Sequence, residues 1–219
     1  MKQEIHINVP TSWKDVTLKS YLNLQKDIKN YEGDNDAHFG LTLYHLCGLE
    51  WDEQKGLTMK SRNLLQEKLN GFENPNELPL ERFITIDGVE YGFEPNLSKM
   101  AYGAYVDISQ WDKLEIDDNW KKVMAILYRP VTMKKNGLYT IEPYTGEEES
   151  DKWLKVPMDV HFGSLFFFIN LWRDLLQGIL NSSIMTEIPP NMQSILVKNG
   201  KVITQSLSLQ EEIYKKWKK

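Results

Sequence analysis

Cross-linking chemistry is almost absent from this sequence. Its 219 residues include one cysteine, Cys47, so no internal disulfide can form. That usage suits a reducing compartment. Catalytic and metal fingerprints are missing too: there is no CxxC, HExxH or GxSxG, no phosphate-cradling glycine loop and no dinucleotide-binding glycine pattern. The usual sequence grounds for a zinc site, a nucleophile elbow or a nucleotide pocket are therefore lacking. Positive charge is scarce, with 26 Lys and Arg against 31 Asp and Glu and a net charge of −5. A general nucleic-acid binder needs a broad basic face, so nucleic acid is not an expected partner. Long apolar runs are also missing. The best, "FGSLFFFINLWRDLLQGIL" (162–180), is interrupted by Asn170, Arg173 and Asp174. Two ionisable groups in hydrocarbon are costly, so a buried or interface helix is expected and a membrane span is not. The opening "MKQEIHINVP" has no apolar h-region, and no signal peptide is expected. There is no internal repeat and no low-complexity tract.

What is present is the composition of a globular protein, 41% hydrophobic and 26% charged, and long enough to bury a real core. Aromatics are plentiful, with seven Trp and ten Tyr, a class that serves cores and protein interfaces alike. The pattern predicts an α+β fold, mainly helical: a bundle-like domain over residues 1–190 carrying a β-hairpin near 82–94. Residues 191–219, after Pro189-Pro190, read as an arm or tail.

Local signals place the elements. "EIHINV" alternates like a short first strand, with Ile5 and Ile7 on one face. Thr17 is a helix cap for a helix to about residue 30, with Leu18, Tyr21, Leu22 and Ile28 on its apolar side. Asp34 or Asp36 starts a second helix that stops at Gly48. A third covers 61–70, with Leu64, Leu65 and Leu69 inward and Gly71 as its stop. "RFITIDGVEYGFEP" is a hairpin turning at Asp87-Gly88. It pairs Ile86 with Val89 and Ile84 with Tyr91 on one face, sets Thr85 and Glu90 on the other, and puts Phe83 across from Gly92, where an aromatic can cover the missing side chain. Helices follow over 97–109, with Met100, Tyr105 and Ile108, and over 118–128. The latter is capped by Asp117 or Asp118 and carries Trp120, Val123, Met124 and Leu127 at helical spacing. Asn136-Gly137 suggests a second hairpin. The long helix after Pro157 has an all-apolar half, 165–169, and a half with a polar stripe at Asn170, Arg173, Asp174, Gln177 and Asn181. Beyond Pro190, "SILVKNGKVIT" reads as a further hairpin around Asn199-Gly200, and "LQEEIYKKWKK" as a short basic helix. The closing "YKKWKK" sets two aromatics among four lysines. That pattern can grip a nucleic acid, but in an acidic chain it is read as a solubilising end.

Few constellations carry chemistry. His38 and His45, seven apart, share a helix face with Cys47 nearby, but their spacing is not that of a zinc site. They and His6 and His161 are expected to be structural or surface groups. "EGDND" lacks the glycine and closing glutamate of a calcium loop, which leaves Asp34 and Asp36 as loop and cap residues. Glu147, Glu148 and Glu149 read as a solvated loop rather than an acid/base pair. No cofactor and no metal is expected. Arg129 stands where Pro130 forces a helix to end, so its charge should complement the negative end of the helix dipole by roughly 0.3–1 kcal/mol.

Three stretches, "VPTSWKDVTLKSYLNLQ", "ITIDGVEYGFEPNLSKMAYGAYVDI" and "VMAILYRPV" with "YTIEPY", are followed by the apolar "FGSLFFF". In this order, over roughly residues 5–180, the chain resembles the tail-assembly-chaperone-like and virion-assembly proteins of tailed bacteriophages, especially those of Bacteroides-type hosts and crAss-like phages. The resemblance implies a helix-rich, non-enzymatic protein acting in the host cytoplasm during phage assembly. In the chaperone form its client is the tape-measure protein. The alternative form is a permanent virion component, a connector or tail protein. It also implies a possible homo-oligomer. A client-binding surface needs exposed apolar or aromatic groups. The candidates are Trp13, Tyr102, Tyr105, Trp111, Arg129, Phe166, Phe167 and Trp172, with ordinary core packing as the competing expectation for each aromatic. The rival class is a small enzyme or nucleic-acid-processing protein, which would require His38, His45 and the acidic loop to meet in one cleft.

Overall fold

The computed structural model describes residues 7–72, 74–110 and 115–181, with backbone only for 98, 109 and 172–181. Seven α-helices are found among these residues: α1 (Leu18–Ile28), α2 (Asn35–Cys47), α3 (Trp51–Gln54), α4 (Met59–Asn70), α5 (Tyr102–Ser109), α6 (Trp120–Leu127) and α7 (Met158–Asn181). Four strands, β1 (Phe83–Ile86), β2 (Val89–Phe93), β3 (Tyr128–Lys135) and β4 (Leu138–Ile141), form one antiparallel sheet in the order β1-β2-β3-β4. The fold is thus α+β and mainly helical, as the pattern predicts.

The helix ends follow from their capping residues. Thr17 Oγ1 accepts the Ser20 amide at 3.2 Å and starts α1. Asp34 accepts from the Asp36 and Ala37 amides, and Gly48 closes α2 in the left-handed conformation. Thr58 starts α4 two residues before the expected position, by accepting the Ser61 amide. On that helix Leu65 and Leu69 are buried, whereas Leu64 is 55% exposed. This corrects its inward assignment: one step along a helix rotates a side chain by about 100°, off a face set by the i, i+4 pair. The helix expected over 97–109 is broken. A 3-10 turn, Leu97–Lys99, precedes Ala101, whose backbone is extended, and α5 begins only after it. Residues 7–11 are not a strand, although Ile7 packs against the core. The rest of the expected first strand lies outside the described residues, as do the hairpin and helix expected beyond residue 190.

Both hairpins form. Asp87 and Gly88, then Asn136 and Gly137, all adopt positive φ, and the first hairpin has the expected register, Phe83↔Gly92 to Ile86↔Val89. The side chain covering Gly92 is not Phe83 but Tyr139 from β4. A Cβ at residue 92 would come within 2.9 Å of the Tyr139 ring, and that ring in turn packs edge-on against Phe83 at 4.6 Å. The two hairpins are fused into one sheet through β2 and β3, with Gly92 opposite Arg129 and Phe93 opposite Tyr128.

The core lies between this sheet and the helices, with the first half of α7 at its centre: Leu165 and Ile169 are fully buried and Phe162 and Phe166 nearly so. Phe167 and Phe168 are only half-buried, so this segment is not enclosed on every side. Trp13 packs edge-on against Phe72 and Phe162, each at 4.9 Å. Such aromatic pairs contribute roughly 0.5–1.5 kcal/mol beyond their burial. The start of α7 is tied to the N-terminal segment by Met158 N–H donating to Val16 O (2.8 Å) and Leu18 N–H donating to Val156 O (3.1 Å). Gly163 allows the closest crossing: a Cβ there would lie 2.2 Å from the Pro79 carbonyl oxygen. No helix among the described residues is long and apolar enough to cross a membrane.

Candidate functional site

The eight candidate surface residues do not form one surface. Trp13 and Phe166 are core residues, and Phe167 packs against Phe93 at 5.4 Å. The expectation that Trp13 and Phe166 offer an exposed face is thereby corrected: Trp13 is wedged between Tyr21 of α1 and Phe162 of α7, and Phe166 is buried on α7 beside Phe162. Trp111 lies outside the described residues, and nothing is described of the Trp172 side chain. Tyr102 and Tyr105 are the two that reach solvent, at 80% and 62% exposure.

They do so because α5 is short and anchored on one side only. Ala104 is its fully buried residue, and Tyr102 and Tyr105, three apart, share the opposite side. The helix has no side-chain cap at Ala101. It is held instead by Tyr144, whose ring lies against Gly103 (a Cβ there would sit 3.2 Å from it) and whose hydroxyl donates to Asp107. Burial, and then the Asp107 carboxylate, push the Tyr144 phenol up to about 12, so it stays a neutral donor. Beside this helix is a cleft of about 520 Å³ lined by Asp107, Asp117, Glu148, Lys122 and Tyr144 among others. Asp107 lies about 140° around the helix from Tyr102 and about 160° from Tyr105, so α5 turns its two tyrosines to solvent and a separate, largely opposite face to the cleft. Tyr144 was not foreseen; nothing in "IEPYTGEEES" ties it to residues forty positions earlier.

Arg129 is an interior group. It is 5% exposed, and its Nη2 donates to the buried Glu94 carboxylate at 2.5 Å. Its Nη1 donates to Ile126 O (3.1 Å) in the last turn of α6, so it does close that helix. The correction concerns its surroundings: strand pairing with Gly92 carries it into the protein, where it cannot meet a partner directly. Glu94 was missed because its pairing depends on the β2–β3 register, which local pattern does not encode.

Among the described residues the histidines do not converge. His45 Nε2 lies 2.8 Å from Asp27 Oδ2. His161 is fully buried and accepts the Trp120 indole N–H on Nδ1 (3.0 Å). Burial lowers its pKa to about 3, with the backbone of Trp153 and Val156 acting weakly the other way, so it is neutral. Glu147, Glu148 and Glu149 line a cleft of about 210 Å³ with Tyr91, Lys152 and Trp153, and neither His38 nor His45 borders it. Glu148 accepts the Thr145 amide (2.7 Å), and Glu149 lies 3.7 Å from Lys152, which is loop chemistry. Among the described residues, no group of three or more His, Cys, Asp or Glu could hold a metal ion.

Comparison of the chain with family models, with curated proteins and with solved structures found no match.

Proposed function

We propose that this protein is a non-enzymatic assembly factor that binds other proteins, and specifically a tail assembly chaperone of a tailed bacteriophage whose client is the tape-measure protein. Two things support the reading. One is the resemblance carried by the three stretches quoted above. The other, and the observation that carries the reading, is the α5 face, where Tyr102 and Tyr105, three positions apart, both stand in solvent. Tyrosine is enriched at interface cores because it is large, has few rotatable bonds and retains a polar tip. Two exposed aromatics three positions apart on one helix favour a client with an apolar face, which amphipathic helices provide.

Co-expression with the tape-measure protein of the same phage tests this. The expected result is a co-purifying complex and a larger soluble fraction of the client. Neither complex nor gain in solubility would overturn it. Mass spectrometry of purified particles separates the two forms of the proposal: a chaperone is absent from mature virions, and a connector or tail component is present.

A further inference from the structure

Three aromatic rings meet where the sheet packs against the 3-10 turn Asp151–Lys155. Tyr91 lies edge-on to Trp153 at 5.8 Å, and Tyr128 lies against the same indole at 5.4 Å. With Ala125 and Pro143, these rings wall the cleft of about 210 Å³ that Glu147, Glu148 and Glu149 border. That volume is the share of about seven waters. It falls below the roughly 300–1,000 Å³ of pockets that hold drug-sized ligands and cofactors, so its ligand is small.

The wall of the cleft is short of acceptors. Trp153 is fully buried, yet its indole N–H has no hydrogen-bond partner, and native interiors rarely leave such a donor unpaired. Next to it, Lys152 Nζ donates to the Tyr91 hydroxyl at 2.8 Å. Its carboxylate neighbour, Glu149, is 3.7 Å away, too far for a hydrogen bond, so this three-donor ammonium is also under-satisfied. The rim is short of cations. Glu142 and Glu147 are exposed there, and neither is in an ion pair among the described residues. Arg129 also borders the cleft but is already paired with Glu94. The loop bonds of Glu148 to Thr145 leave Glu142 and Glu147 unexplained.

We propose that this cleft binds a free α-amino acid with a small apolar side chain. Its carboxylate accepts from the Trp153 indole and the Lys152 ammonium, and its ammonium meets Glu147 and Glu142. Its side chain lies against the Tyr91, Tyr128 and Pro143 walls. A water would satisfy the indole and leave both charge imbalances in place. An amine answers only the rim, and a carboxylic acid only the interior. An α-amino acid answers both and is small enough to enter.

Isothermal titration calorimetry of the protein with L-leucine and L-valine tests this, with NMR spectra of the indole N–H groups recorded on the same samples. At least one of the two should bind saturably with a Kd below about 1 mM. Binding should shift the indole signal that is missing from Trp153→Phe. Leucinamide, which lacks the carboxylate, and isocaproate, which lacks the ammonium, should each bind at least about tenfold more weakly than L-leucine. Trp153→Phe keeps an aromatic ring but no N–H, and should bind at least about threefold more weakly. Glu142→Gln/Glu147→Gln changes two exposed residues, so it should melt as the parent does without ligand and bind at least about threefold more weakly. No saturable binding of either amino acid would overturn the proposal and leave the indole proton to water. Leucinamide or isocaproate binding as tightly as L-leucine, or undiminished binding by the glutamine variant, would overturn it equally.

Discussion

Removing the Glu94 carboxylate should be among the most damaging single changes in the protein. Glu94 and Arg129 are a buried pair, their side chains 8% and 6% exposed, joined at 2.5 Å. In Glu94→Ala the guanidinium would keep one neutral partner, Ile126 O, while its Nε is already without one. An ionic group left buried in that way costs about 3–5 kcal/mol, a large part of the 5–15 kcal/mol that typically holds a domain together. An exposed helix-end arginine would contribute only about 0.3–1 kcal/mol. The two situations also differ in a double variant. Glu94→Met/Arg129→Met removes both charges, and replacing a buried pair by apolar groups of similar volume is often close to neutral, so the double variant should be more stable than Glu94→Ala. Urea unfolding followed by far-UV circular dichroism measures both. A loss below about 1 kcal/mol for Glu94→Ala, the range of an exposed pair, or a double variant worse than the single one, would refute the reasoning.

Three further outcomes follow from the same geometry. His161 is neutral and buried with a pKa of about 3 against an ordinary 6.5, so only the unfolded state takes its proton between those values. The stability that His161 contributes is complete above pH 6.5 and declines as pH falls toward 3, by at most about 1.4 kcal/mol per pH unit. His161→Gln, which keeps an acceptor for Trp120, should flatten that part of the stability–pH curve, and an unchanged slope would contradict the assignment. Gly163→Ala should destabilise by about 1–3 kcal/mol, because its Cβ would meet the Pro79 carbonyl at 2.2 Å; an unchanged or raised melting temperature would show that the crossing is looser. Cys47 is a buried free thiol with its pKa pushed up to about 11 by burial. A thiol reagent such as DTNB should therefore titrate about one thiol promptly in urea and react far more slowly with the native protein; equal rates would place Cys47 at the surface.

The parts of the fold that could be read from sequence are those decided within a few residues. Thr17, Asp34 and Gly48 mark helix ends through their own hydrogen bonds and dihedral angles. Asp87-Gly88 and Asn136-Gly137 set hairpins because those residue types tolerate positive φ. Trp120, Val123, Met124 and Leu127 are buried as their spacing predicts. What was not legible depends on distant partners. The pairing of β2 with β3 brings together segments separated by α5 and α6, and with it come the burial of Arg129, its bond to Glu94 and the covering of Gly92 by Tyr139. The candidate site follows the same division. Tyr102 and Tyr105 were named from residue type, but only packing distinguishes them from Trp13 and Phe166, which have the same chemistry and lie in the core.

The central claim is that the α5 tyrosine face captures a protein client. The most direct measurement is the affinity of the protein for the proposed client, a phage tape-measure protein, compared with that of Tyr102→Ser/Tyr105→Ser. Both side chains are exposed, so the variant should fold as the parent does. The account predicts at least about a tenfold weaker complex, as expected when aromatic anchors of an interface are truncated. A complex of undiminished affinity, or no complex with either protein, would contradict it.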